Sequence, residues 1–301
     1  TSIGASSLAL NTTADQNTAV GYLALQANTT GQNNTAVGSG ALATNTTASS
    51  NVAVGQLSLN ANSTGQYNTA IGVNVLYSNT TANHNTAVGY SALLSNTTGY
   101  SNVAVGAYAL DAVTTANSCT AVGHASLTSN TASTNTAVGW QCMYSNTSGT
   151  HNTAVGANAL FANTTGNYNI AIGNYALDAN LSSEYNTAIG YAALSANTAG
   201  YNTAVGYAAL DVCSTGHNNT AVGRDALGQL TTGTKNAVLS TGGQAITTGS
   251  NNICLGYNTG SSLSPSGSIT TGSNNICLGN DEIQNLFCPD TPISSSDQRD
   301  K

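Results

Sequence analysis

One glycine recurs every seventeen residues along most of this 301-residue chain, and no other feature constrains the fold as strongly. A version of Asn-Thr-Ala-Val precedes the glycine, and a leucine follows four residues later. A fixed period of this length is typical of stacked structural repeats. The series, with a sixteen-residue step before Gly139 and before Gly206, is Gly4, Gly21, Gly38, Gly55, Gly72, Gly89, Gly106, Gly123, Gly139, Gly156, Gly173, Gly190, Gly206 and Gly223.

We number each repeat from this glycine as position 0. Position −4 is Asn in nearly every copy, position −2 is almost always Ala, and position −1 is Val, Ile or Leu. Position +4 is Leu, with Met143 as the one replacement, and a polar stretch such as 28–31 follows. Each copy therefore contains two short apolar segments joined by a glycine corner. Neither segment reaches the ~12 residues of a helix, and helical repeats are ~33 residues or longer.

Two strands and two turns in seventeen residues predict one coil of a parallel β-solenoid. The expected fold is therefore an all-β β-roll of about sixteen 17-residue coils. Coils rise by ~4.8 Å, so the rod would be about 75 Å long. Glycine at the corner supplies backbone angles that other residues avoid. Asn at −4 is expected to form a hydrogen-bonded ladder along the rod, as stacked amides do.

Composition agrees with a narrow interior and argues against several classes of function. Only 5% of residues are charged, against ~25% in typical domains. Four Lys and Arg against eleven Asp and Glu argue against a nucleic-acid-binding surface. No apolar run approaches the ~20 residues that span a bilayer. We therefore expect no nucleic-acid partner, no membrane insertion, and no cofactor or metal.

The repeat pattern divides the chain into three segments. Residues 1–223 carry the regular repeats, and 224–280 carry degenerate repeats that we interpret as a transition and cap. Terminal repeats of such arrays are commonly atypical. The remaining residues, 281–301, form a C-terminal junction. Because the chain begins inside the repeat motif, we expect it to be the middle of a longer polypeptide.

The block Asn-Thr-Ala-Val-Gly-Tyr-x-Ala-Leu, present for example at 17–25, resembles the head repeats of trimeric autotransporter adhesins. The likeness covers residues 1–223, although the coil here is longer than in that family. It implies parallel β-rolls with three chains side by side. The partner implied is therefore the chain itself, in a homotrimer or filament.

The end of the chain resembles the junction that precedes an S74-type intramolecular chaperone, a domain of phage and other viral tail fibres. The likeness rests on the segment 278–288 and on the motif Ser-Asp-x-Arg-x-Lys at Ser296, Asp297, Arg299 and Lys301. In that family the domain drives trimerisation and then cleaves itself off near this Ser-Asp. The resemblance implies a fibre on the virion surface or another extracellular location.

Asn at +7 is followed two residues later by Thr or Ser in nine copies, which is the N-glycosylation acceptor pattern. On exposed turns these positions would carry a line of glycans along the rod. The alternative is that Asn-Thr-Thr serves only as a good turn sequence. The nine candidates are Asn11, Asn28, Asn45, Asn62, Asn79, Asn96, Asn146, Asn163 and Asn180, and Asn33 and Asn218 match the pattern at another position.

Cys254 and Cys277 replace the interior alanine at −2, so we expect them to be buried thiols. A disulfide between them would require the loop that separates them to bring their Cα atoms within ~7 Å. The other cysteines occupy scattered repeat positions without metal-ligand spacing.

Other reactive side chains are sparse. Asp178 and Asp211 share position +5 but stand two coils apart, on the order of 10 Å, which is poor support for a pair of glycosidase carboxylates. The histidines are isolated from one another. We therefore expect no catalytic centre and a protein that is not an enzyme. The histidines are His84, His124, His151 and His217.

Three functions remain open on the sequence alone. The first is a structural fibre shaft that self-assembles. The second is an adhesin that binds host-surface glycans through exposed tyrosines at +1, a row that Gln56, His124 and Arg224 interrupt. The third is an ice-binding solenoid that uses threonines at −3 and +8. The +1 tyrosines are Tyr22, Tyr90, Tyr191 and Tyr207.

Overall fold

A computed structural model describes residues 1–261 and 268–280, and these form a parallel β-solenoid. The seventeen strands of this part belong to one sheet, in which each strand pairs in parallel with the next strand of the sequence. At a spacing of ~4.8 Å the strands span about 77 Å. The predicted all-β parallel solenoid is confirmed.

One strand occurs in each coil, immediately before the corner. The strands are β1 (Ser2–Ile3), β2 (Thr18–Val20), β3 (Thr35–Val37), β4 (Val52–Val54), β5 (Thr69–Ile71), β6 (Thr86–Val88), β7 (Val103–Val105), β8 (Thr120–Val122), β9 (Thr136–Val138), β10 (Thr153–Val155), β11 (Ile170–Ile172), β12 (Thr187–Ile189), β13 (Thr203–Val205), β14 (Thr220–Val222), β15 (Ala237–Leu239), β16 (Ile253–Leu255) and β17 (Ile276–Leu278).

The interior is filled by small aliphatic side chains that stack on their own copies. Successive side chains of a strand alternate between its two faces, so the middle residue at −2 points inward, as Ala19 does above Ala36. The alanine at +3 and the leucine at +4, such as Ala24 and Leu25, are also fully buried. The core is therefore a narrow column of three side chains per coil.

The second apolar segment of each coil is a chain of tight turns, and the prediction of a second strand was wrong. Leu23 and Leu25 have left-handed φ values of 60° and 49°. The amide of Ala24 donates to the carbonyl of Gly21 at 3.3 Å within the coil, and the amide of Leu25 donates to Ala41 of the next coil at 3.0 Å. Left-handed residues curl the backbone, so the segment turns the coil around its core while still bonding to its neighbours.

The corner glycine is required for two physical reasons, which Gly89 illustrates. Its φ of 140° is a conformation that side-chain-bearing residues rarely adopt. A Cβ atom at Gly89 would also lie 2.5 Å from the carbonyl oxygen of Gly106 in the next coil. The period of the glycine is therefore the period at which adjacent backbones come closest.

The asparagine ladder expected at −4 is confirmed. The backbone amide of Asn34 donates to Oδ1 of Asn17 at 2.9 Å, and Nδ2 of Asn17 donates to the carbonyl of Gly31 at 2.8 Å. The same contact still joins Asn275 to Asn252 at 3.0 Å in the last described coils. Each buried amide thus satisfies polar groups in the adjacent coil.

The irregular coils follow the same backbone path as the regular coils but differ from them in length or in the residues at the repeated positions. In the sixteen-residue step that ends at Gly139, Nδ2 of Asn130 donates to the carbonyl of Ala132, two residues ahead. In a regular coil, Nδ2 of Asn28 donates to the carbonyl of Gly31, three residues ahead. The missing residue therefore falls in the polar turn. Beyond Gly223, Ser240 occupies the corner with a φ of 81°. In the described part of the chain, no helix is long and apolar enough to cross a membrane.

Candidate functional surfaces

Eight of the nine +7 asparagines are buried, so the expectation of an exposed row was wrong for all but Asn11. Nδ2 of Asn28 donates to Oδ1 of Asn11 at 2.9 Å and to the carbonyl of Gly31 at 3.0 Å. An N-linked glycan occupies this same nitrogen, and the interior has no space for one. The buried eight are Asn28, Asn45, Asn62, Asn79, Asn96, Asn146, Asn163 and Asn180.

The +7 residues form a second ladder, in which side-chain amides bond directly to each other. The ladder runs unbroken to Asn96, whose Oδ1 has no hydrogen-bond partner. Val113 occupies +7 in the next coil, and its side chain has no hydrogen-bond donor. The Asn-Thr-Thr pattern is therefore explained by an internal amide stack. The exposed acceptor patterns are those of Asn11, Asn33 and Asn218.

The outward face of the sheet is the most regular surface of the rod, and we call positions −3 and −1 together the sheet face. From β2 to β14, every residue at these positions is Thr, Val or Ile. All three are branched at Cβ, which limits their rotamers and makes the surface stiff. Val105 and Ile172 at −1 are each 38% exposed. An aliphatic column and a mostly threonine column thus run side by side along the rod.

Threonine hydroxyls at −3 and at +8 have different environments. The hydroxyl of Thr29 at +8 donates to the carbonyl of Thr46 in the next coil at 3.1 Å, and Thr147 does the same to Thr164 at 2.9 Å. Threonines at −3, such as Thr69, face outward, and within the described residues their hydroxyls have no protein partner. Of the two threonine rows, only that at −3 presents its hydroxyls to solvent.

An aromatic row at position −5 was missed by the sequence reasoning, although aligning the repeats would have found it. His151, Tyr168, Tyr185 and Tyr201 stack with centroid distances of 4.9, 5.1 and 5.1 Å and interplanar angles of 16°, 4° and 17°. Their faces therefore cover one another, and their edges point to solvent. A sugar packs against the face of a ring, so only the two ends of this stack offer such a platform.

The +1 tyrosines do not form a continuous row. Tyr191 and Tyr207 stack at 5.4 Å, but Tyr90 meets Tyr108 edge-on at an interplanar angle of 75°. Tyr22 has an exposed side chain without a ring contact in the described part. The arrangement offers separate aromatic side chains and no repeated platform for a glycan.

Shallow depressions lined at positions +2 and +5 occur at separate places along the rod, and their linings differ. One of about 360 Å³ contains Leu57, Asn74 and Tyr77. Another of about 290 Å³ contains Asp211 and Asp225. Such variation does not favour a ligand with a repeating structure.

Asp178 and Asp211 line different depressions, so the structure does not bring them together. Burial raises the pKa of each carboxyl, and the charge of Asp225 adds to the rise at Asp211. Among the described residues, no three His, Cys, Asp or Glu side chains are placed to hold a metal ion. His84 stacks on Tyr67 at 5.0 Å, and His124 meets Tyr108 edge-on at 5.9 Å. His217 has no ring contact in the described part.

The chaperone-junction residues Ser296, Asp297, Arg299 and Lys301 lie outside the described residues, as does the segment from 281 that precedes them. Comparison with models of known protein families, with curated proteins and with solved structures gives no match for this chain. The likeness to adhesin heads and to tail-fibre junctions therefore stays a resemblance of motifs. A proposal about function has to rest on the surfaces of the rod.

Proposed function

We propose that this chain is a self-assembling, non-catalytic shaft segment of a fibre on a virion or other extracellular surface, with the sheet face packed against further copies. The observation that carries the proposal is the constancy of that face. The interior columns must repeat for the coils to stack, but outward positions have no such requirement. The residues at +1, +2 and +5 differ from coil to coil, whereas the sheet face keeps Thr, Val and Ile throughout β2 to β14.

The size of the sheet face suits a stable interface. Its two columns are about 7 Å apart, and with the flanks of the side chains the face is about 10 Å wide and 77 Å long. That is about 800 Å² per chain, the usual contribution of one partner to a specific complex. Its aliphatic column would leave water on assembly, which contributes about 25 cal/mol per Å² of apolar surface. The number of chains, three by the resemblance, is part of the proposal.

Two lysine substitutions in one coil test the face. Val105→Lys places a charge in the aliphatic column, whereas Tyr100→Lys places one on an exposed residue off the sheet face. Sedimentation velocity should show assemblies for the unaltered chain and for Tyr100→Lys, and dissociation for Val105→Lys. Circular dichroism should be the same for all three. Assembly that survives Val105→Lys would locate the interface elsewhere.

Ice binding is a second candidate because the −3 hydroxyls form a row on the outward face of the sheet, interrupted at Val52, Val103 and Ile170. Neighbouring hydroxyls repeat at about the strand spacing of ~4.8 Å, and within the described residues they bond to no protein atom. Measuring thermal hysteresis on the purified chain separates the two candidates. Hysteresis from a monomer, lost in Thr153→Lys, would favour ice binding, whereas assembly without hysteresis favours the shaft.

Glycan adhesion has weaker support, since the stacked rings expose edges and the +1 tyrosines stand apart. A glycan array probed with the assembled protein tests it directly. Binding to a defined sugar that Tyr201→Ala abolishes would support adhesion at the open end of the −5 stack.

A further inference from the structure

Two cysteines stand directly above one another in the last two described strands. Cys254 is the middle residue of β16 and Cys277 the middle residue of β17, and they are register partners in the parallel sheet. Both side chains point into the core, with relative exposures of 0% and 2%. Alanine occupies this interior position in every coil from Ala19 to Ala221. Among the described strands, cysteine occupies it only in β16 and β17, which are neighbours.

The positions of the two residues suit a disulfide. Register partners in a parallel sheet lie about 4.8 Å apart, which is inside the range of about 4.4–6.8 Å for Cα atoms of a disulfide. The two thiols are close enough for Cys277 to influence the ionisation of Cys254. From a separation of about 4.8 Å, their Cβ atoms need to approach by about 0.3–1 Å, because disulfide Cβ separations are about 3.5–4.5 Å with a mean near 3.8 Å.

The remaining described cysteines lack this arrangement. The Cys119 thiol donates to the carbonyl of Ala132 at 3.2 Å, and the Cys213 thiol donates to Gly216 at 3.5 Å. Both replace asparagines of the two ladders and take over one of their bonds. Cys142 is buried at +3, a position filled by alanine or serine in the adjacent coils. These single thiols therefore serve as matched controls within the chain.

We propose that Cys254 and Cys277 form a disulfide that fastens the last described coil to its neighbour. The oxidant is a small-molecule or protein disulfide: the two thiols lose two protons and two electrons and become one S–S bond, and the oxidant is reduced to two thiols. A bond between β16 and β17 joins two adjacent coils covalently, in the part of the described rod where the regular repeat has already been lost.

The bond forms as the chain folds. Burial, followed by the proximity of Cys277, raises the pKa of the Cys254 thiol, and the thiolate is the form that attacks a disulfide. In the finished coil the thiol is therefore slow to react. While β17 is still undocked the thiol is exposed and ionises normally, so an oxidant present during folding closes the bond.

Thiol counting on the full chain tests the proposal. The protein is refolded with oxidised and reduced glutathione, or with a reductant alone, then denatured and alkylated. Intact mass should show two fewer alkylated thiols, out of six, in the oxidised sample. Chymotryptic cleavage at Tyr257 should leave fragments containing Cys254 and Cys277 joined until reduction.

Two variants complete the experiment. Cys277→Ala should abolish the loss of thiols, and Cys142→Ala should leave it intact with one thiol fewer in both samples. The oxidised chain should also have a higher unfolding midpoint than the reduced chain. Six alkylated thiols after oxidative refolding, or a bond that joins Cys288 instead, would overturn the proposal. The test does not depend on assembly, so the shaft function stands or fails separately.

Discussion

The coils from β2 to β14 and those from β15 to β17 follow the same backbone path but have different residues at the repeated positions. The regular coils have Ala at −2, Gly at the corner and mostly Asn at +7. The terminal coils have Val238, Cys254 and Cys277 at −2, and Ser240 stands at the first corner. The −4 asparagine ladder spans both regions, with Cys119 as its one replacement in the described strands. The comparison indicates that the −4 amide is the repeated feature that changes least between the two regions.

Replacing a corner glycine should have the largest effect. Gly89→Ala combines an unfavourable φ with contact between the new Cβ atom and the carbonyl of Gly106. We expect a loss of about 3 kcal/mol or more in the free energy of unfolding, measured by urea denaturation at a fixed chain concentration. Ser240→Ala, at the terminal corner, should change it by less than about 0.5 kcal/mol. Equal effects would mean that the two corners are equivalent.

The two asparagine ladders should differ in importance. Asn85→Val leaves the buried backbone amide of Asn102 without its acceptor, which costs about 2–3 kcal/mol. Asn79→Val removes bonds to Oδ1 of Asn62 and to the carbonyl of Ala82, but that carbonyl keeps its bond from Asn68. Asn96 likewise keeps its bond to the carbonyl of Gly99, so we expect about 1 kcal/mol. Urea denaturation of both variants measures the difference. A larger cost for Asn79→Val would contradict the ranking.

Completing the +7 ladder should stabilise the regular region. Val113→Asn supplies a donor to the unpartnered Oδ1 of Asn96, and we expect a gain of about 1 kcal/mol. Leu230→Asn makes the same kind of change between β14 and β15, where buried Cys213 precedes it at +7 and buried Ile246 follows at +6 of the next coil. The new amide there lacks a ladder partner, so stability should fall. The thermal unfolding midpoint should therefore rise for Val113→Asn and fall for Leu230→Asn. A change of the same sign in both variants would contradict the comparison.

The smallest effect is a pH dependence of the regular coils. Burial raises the folded-state pKa of Asp111, Asp178 and Asp211 above the ordinary 3.8. The stability that each raised pKa represents is fully present below 3.8 and is lost as pH rises through the folded pKa. Asp178→Asn should therefore raise the unfolding midpoint at pH 7 by about 1 °C and have no effect near pH 3. Midpoints measured across this pH range, with Asp15→Asn at an exposed aspartate as control, test the sign.

The sequence predicted most of the coil because its periodic residues have narrow physical roles. Corner glycines, inward alanines and the −4 amides each have one suitable place in a stacked coil. The second segment was misjudged because Leu23 and Leu25 adopt left-handed backbone against their own preference. That conformation is imposed by stacking on the adjacent coils, which a single repeat does not reveal.

The +7 asparagines were assigned to the surface for a related reason. A polar residue beside a turn is usually exposed, and burial of Asn45 becomes favourable only when Asn28 and Asn62 lie above and below it. The same reasoning applies to the −5 aromatic row, because Tyr168 and Tyr185 become a stack only once the coils are aligned. Pairing between coils, more than local propensity, decided these features.

The mass of the chain in native buffer tests the central claim most directly. One chain has a mass of 30.0 kDa, and assembly through the sheet face requires a stable multiple of it, three chains if the resemblance holds. We expect native mass spectrometry at micromolar concentration to show that multiple for the unaltered chain and a single chain for Val105→Lys. A folded, stable 30.0 kDa monomer of the unaltered chain would contradict the proposed shaft.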